Sequence, residues 1–101
     1  MNQANAMRGE AAIVVDGETL TLRPSFEALV AAEEELGPLF ALVERAADGQ
    51  LSLSEMAALF WHCASGLAAR ERIGQALVEQ GLAKATPVLR TLLGQILQGR
   101  V

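Results

Sequence analysis

Trp61-His62-Cys63 is the one place where this sequence sets a thiol beside an imidazole, and it holds the chain's single His and single Cys. A nucleophile and its base on one helix need i, i+3 or i+4 spacing to leave by the same face. Neighbouring helical residues instead diverge by about 100°. In helical projection Met56, Phe60, Cys63 and Leu67 share one stripe, with Leu59 beside it, and His62 falls on the other side with Glu55 and Ala58. The spacing predicts Cys63 as a small buried hydrophobe and His62 as a solvated side chain. One His and one Cys cannot assemble a zinc set. Trp61 stands at the border of the stripe and reads either as core or as a partner contact, a role in which Trp is enriched.

The other candidate groups do not converge either. Glu33-Glu34-Glu35 offers three carboxylates in a row, but successive helical positions splay them over roughly 200°, which predicts a solvated face. Asp48-Gly49-Gln50-Leu51-Ser52-Leu53-Ser54-Glu55 resembles the second half of a calcium loop, with Asp, Gly, an apolar residue and a final Glu. In that register the third ligand position falls on Ala46, which has no side-chain oxygen. Arg70 and Arg72, with Glu71 between them, are too few to track a phosphate backbone. Glycines 66, 74, 81, 94 and 99 fit neither dinucleotide nor P-loop spacing. The sequence thus predicts no enzyme, no metal site and no cofactor.

The elements that position these residues read as α+β, a hairpin followed by about five helices. Asp16-Gly17 lies between two short β-prone runs, AAIVV and ETLTL, and suits a two-residue type I′ turn. That loop fixes the register: Val15 opposite Glu18, Ile13 opposite Leu20, Ala11 opposite Leu22. Ala11, Ile13, Val15, Leu20 and Leu22 then share an apolar face, which must lie on helices because two strands alone are marginal. Ser25 caps a helix to about Leu36, with Phe26, Leu29, Val30, Ala32, Glu33 and Leu36 at helical spacing and Gly37-Pro38 as its stop. A second helix runs from Leu39 to Ala47 with Phe40, Leu42 and Val43. Ser52 and Glu55 form a capping box for a third, to about Ser65. A fourth spans about Ala69–Gln80. Thr86-Pro87 reads as cap and first residue of the last helix, which ends near Gln98. On it Val88, Leu89, Leu92, Leu93, Ile96 and Leu97 recur as pairs every four residues. This broad apolar face reads as docking on the core, with part of it left over for self-association or an apolar partner helix.

The 101 residues form one domain, with Met1–Gly9 read as a loose tail, residues 10–101 as the domain, the hairpin at 11–23 and helices within 25–98. The hydrophobic fraction is 51% but aromatics are only 4%, and Ala, Leu and Val dominate without a run of the ~18 apolar residues that a membrane span needs. A net charge of −4 opposes nucleic-acid binding. One cysteine excludes an intrachain disulfide. The start has no basic stretch, apolar core or cleavage site of a signal peptide, which with the lone thiol points to the cytoplasm.

The order of features across nearly the whole chain resembles a known family. Arg8-Gly9-Glu10-Ala11-Ala12 leads into the Gly-turned hairpin and Leu20-x-Leu22. Ala28-Leu29, Glu35-Leu36-Gly37 and Gly49-Gln50-Leu51-Ser52 follow, then Gly74-Gln75-Ala76-Leu77, Gly81-Leu82 and the stretch from Pro87 to Gly99. This looks like the gene transfer agent family of small phage-tail proteins, encoded between tail-tube and tape-measure genes and grouped with phage tail assembly chaperones. The resemblance implies a non-enzymatic helper in the cytoplasm of a bacterial host. Such a helper binds the helical, aggregation-prone tape-measure protein, helps recruit tail-tube protein, and is absent from the mature particle. The family has also been labelled a tail tube protein, so a structural minor tail or tube component is the alternative, beside a host helical adaptor that dimerises through its last helix. A tube subunit normally needs a larger β-sandwich-like domain than one hairpin supplies. The resemblance brings no established ligand residues. From apolar spacing alone, Trp61, Leu89, Leu92, Leu93, Ile96 and Leu97 are the expected partner-binding residues, for the tape-measure protein or for a homo-oligomer.

Overall fold

The computed structural model describes residues 10–99, so the expected tail over Met1–Gly9 lies outside the described residues. The architecture is α+β. A hairpin of β1 (Ala11–Val15) and β2 (Glu18–Leu22) is followed by α1 (Phe26–Leu36), α2 (Leu39–Ala47), α3 (Leu53–Cys63), α4 (Arg70–Gln80) and α5 (Leu82–Gln98). Asp16 and Gly17 both take positive φ, 53° and 82°, as a type I′ turn demands. The strands pair antiparallel with Val15 opposite Glu18, Ile13 opposite Leu20 and Ala11 opposite Leu22, the register expected from the turn. Their shared apolar face is buried. β1 packs on α4 and α5, and the Arg23 N–H donates to the Cys63 carbonyl at 2.8 Å, tying the chain after β2 to the end of α3. Phe60, Leu59, Leu22, Leu42, Ile73 and Leu92 are the largest sealed aliphatic and aromatic side chains of the core.

Local chemistry sets the helix ends. The Ser25 hydroxyl accepts from the Ala28 N–H at 3.1 Å and opens α1. At α3 the Ser52 hydroxyl accepts from the Glu55 N–H while the Glu55 carboxylate accepts from the Ser52 N–H, a complete capping box. The same carboxylate meets the Arg45 guanidinium through both oxygens at 2.8 Å, which fastens α2 to the start of α3. These bonds occupy the one residue that could have closed a calcium loop. Among the described residues no cluster of three metal-ligating side chains occurs.

Two boundaries differ from expectation. α3 ends at Cys63 rather than Ser65, because Ser65 and Gly66 both take positive φ (56° and 80°) and turn the chain away. Leu67 therefore leaves the α3 stripe and is exposed. α5 begins at Leu82, one turn before Thr86-Pro87, so Pro87 lies inside the helix and not at its first position. Proline removes one backbone bond there. Ala85, buried in the turn that packs toward β1, holds the added segment in place, and the Thr86 and Thr91 hydroxyls donate back to the carbonyls of Leu82 and Pro87.

Candidate interaction surface

Two regions of the surface carry the chemistry the sequence singled out, and they differ in kind. The first is the seam where α1, α3 and α4 meet. Glu35 of α1 accepts from Arg70 of α4 through both carboxylate oxygens, and one of those oxygens also lies 2.8 Å from His62 Nε2 on α3. The Arg70 guanidinium carbon sits 4.4 Å from the centroid of the Trp61 ring, a cation–π contact. The Trp61 and His62 rings meet edge-on at 4.8 Å. Arg70, and then His62, hold the Glu35 carboxyl down at about 2. Here the structure corrects one expectation. His62 is not solvated, its side chain being only 11% exposed, because the packing of α1 on α3 brings the Glu35 carboxylate to it. The glutamate run is exposed as expected, and two of its members also make bonds across elements: Glu35 closes this cluster, and Glu33 accepts from the Leu39 N–H at 2.9 Å and so caps α2.

Cys63 lies behind the seam, buried as the stripe predicts, and desolvation pushes its thiol up to about 12. A thiol so placed does not ionise near neutral pH and cannot serve as a nucleophile. Arg72 meets Asp16 through both carboxylate oxygens and pins the hairpin turn to α4. Glu35, His62, Arg70, Asp16 and Arg72 each have an internal partner, so the seam is a fastening.

The second region is apolar and open. Gly37 (φ 98°) and Pro38 turn the chain sharply between α1 and α2, and the Glu33 cap fixes the first turn of α2. Leu42 and Val43 face the core. Leu39, Phe40 and Val43 then line one wall of a cleft of about 110 Å³, and Ile96 and Leu97 of the last turns of α5 line the other. Phe40 is 81% exposed and Leu97 56%. Phe26, at the start of α1, is 85% exposed, with Val30 one turn on. A Phe left in water forgoes about 1.5–3 kcal/mol of burial, so two such residues in a small domain mark surface that burial in the fold does not account for.

The expected partner residues are distributed unevenly over these regions. Leu92 is 0% exposed and belongs to the core, which corrects its assignment to an outward face. Leu89 and Ile96 are half-buried against the core, and Leu93 is half-buried. Trp61 is half-buried under Arg70 in the closed seam. Of the six, Leu97 is openly presented, with Ile96 beside it in the cleft. Phe26 and Phe40 were read as ordinary members of apolar stripes. The available signal was arc position: Ala28 and Ala32 define the inward side of α1, and Phe26, Val30, Glu27 and Glu34 project from the other side.

A family model described as phage tail tube protein, GTA-gp10, matches residues 8–99 of the chain. No curated protein and no solved structure matches it.

Proposed function

The chain belongs to the phage tail tube protein family of GTA-gp10, and from that premise we propose that it is a non-enzymatic tail assembly chaperone. In this reading it acts in the cytoplasm of the bacterial host, shields an apolar helical segment of the tape-measure protein, helps recruit tail-tube protein, and is left out of the finished particle. The observation that carries the reading is the open cleft of α2 and α5, where Phe40 and Leu97 stay in water. A small acidic body with a helical apolar cleft suits reversible capture of a helix. Its one cysteine is buried and its lone histidine is engaged by a carboxylate, which supports a binding role over a catalytic one.

Co-expression with the tape-measure protein of the same element tests it. The wild-type chain should keep that protein soluble and co-purify with it. The double variant Phe40→Asp with Leu97→Asp should fold, because both sites are exposed, yet lose the partner. A folded double variant that still co-purifies would sink the reading.

A second reading, a built-in tube component, is favoured by the family's description. It predicts that the protein persists in purified particles, where immunoblotting would find it. The described residues contain one two-stranded sheet, a small β content for a ring-forming subunit, and for that reason the chaperone is preferred.

A further inference from the structure

Charge is divided unevenly along this chain. The segment of α1 and α2, residues 25–49, holds six acids (Glu27, Glu33, Glu34, Glu35, Glu44 and Asp48) against the single base Arg45. Elsewhere six acids face seven bases, within a total of −4. The acidic segment is also the one that displays Phe26 and Phe40. Among the described residues Glu27, Glu34 and Glu44 form no ion pair. Glu44 lies one turn beyond Phe40 on the same outward side of α2, and Glu33 is bonded to the backbone of Leu39, a residue that lines the cleft. Among the described residues α5 carries two cations, Lys84 and Arg90, and Arg90 lies two turns before Leu97.

We infer that this cleft docks a partner helix carrying Lys or Arg beside its apolar stripe. The inference rests on the chaperone reading and specifies the chemistry of the captured segment. An apolar cleft between two helices accepts a helix by its i, i+3 and i+4 anchors, and α2, nine residues long, spans about 13 Å, or two to three turns of such a helix. Acids at the rim attract cationic flanks and reject anionic ones. A second copy of this chain is the poorer occupant. A two-fold interface would bring the acidic rim against itself. In a head-to-tail contact Arg70 and Arg72 are already paired with Glu35 and Asp16, which leaves Lys84 and Arg90 of α5 to face the acidic rim.

Two fluorescent synthetic helical peptides with the same leucine stripe, one flanked by lysines and one by glutamates, provide the test by anisotropy against the full chain. The lysine peptide should bind at least about tenfold more tightly at low salt, and the preference should shrink as salt rises. Glu34→Lys with Glu44→Lys, at exposed unpaired sites, should remove the preference. Phe40→Asp should remove binding of both peptides. Equal binding of the two peptides, or lysine-peptide binding that survives Phe40→Asp, overturns the inference. So does light scattering that shows a dimer whose formation blocks the peptide. Failure here with normal tape-measure co-purification leaves the chaperone reading standing; peptide selectivity without co-purification does the reverse.

Discussion

The α1–α3–α4 seam and the α2–α5 cleft lie on the same small body and treat their surface groups in opposite ways. In the seam, Glu35, His62, Arg70 and Trp61 satisfy one another across three helices. In the cleft, Leu39, Phe40, Val43, Ile96 and Leu97 meet around a space of about 110 Å³ that the fold leaves open. The difference teaches that a cluster of ionisable residues is a poor guide to function when its members neutralise each other. An aromatic held in water by a capped helix is the better guide, because burial in the fold does not explain it.

The sharpest way to break the contrast is to compare two phenylalanines. Phe60 is fully buried and Phe40 is 81% exposed. Phe60→Ala should cost about 3–5 kcal/mol in urea denaturation. Phe40→Ala should stay within about 0.5 kcal/mol of wild type and still weaken tape-measure co-purification. A large stability loss at Phe40 would make the cleft part of the core. Next in size is Ser52→Ala, which removes the α3 cap and should cost about 1 kcal/mol. It should leave partner capture intact, because α3 does not line the cleft.

The smallest effect concerns acid. Glu35, held near 2 by Arg70 and His62, has an ordinary value of 4.5. Because its carboxyl is depressed in the folded state, its contribution to stability is present above pH 4.5 and disappears as the pH falls toward about 2. Both side chains of the pair are more than a third exposed, so solvent screening keeps the contribution below about 1 kcal/mol. Glu35→Gln should therefore be slightly less stable than wild type at pH 7, with the two denaturation curves converging between pH 4.5 and 2. A gap that stays constant through that window would show that Glu35 acts by packing alone.

Much of the fold was legible in the chain itself. Asp16-Gly17 specified the hairpin and its register, Ser25 opened α1, and the Ser52–Glu55 box opened α3. All of these are contacts within a few residues. Cys63 was also placed correctly, since a helical stripe is a local pattern. The interaction surface was less legible. Spacing along α5 correctly found an apolar face, but it could not distinguish Leu92, which is sealed, from Leu97, which is open. It also assigned Phe26 and Phe40 to apolar stripes that the fold leaves in water.

Local chemistry by itself thus determined the α+β class, the hairpin register and most element boundaries, because turns, caps and helical periodicity are decided over three or four residues. Tertiary structure alone decided that His62 and Arg70 meet Glu35, that α5 gains a turn through Ala85, and that Phe40 and Leu97 stand open together. Those outcomes depend on which faces of distant helices compete for a limited interior. Periodicity marks a face as apolar, but only the packing of all five helices determines which apolar face is left over.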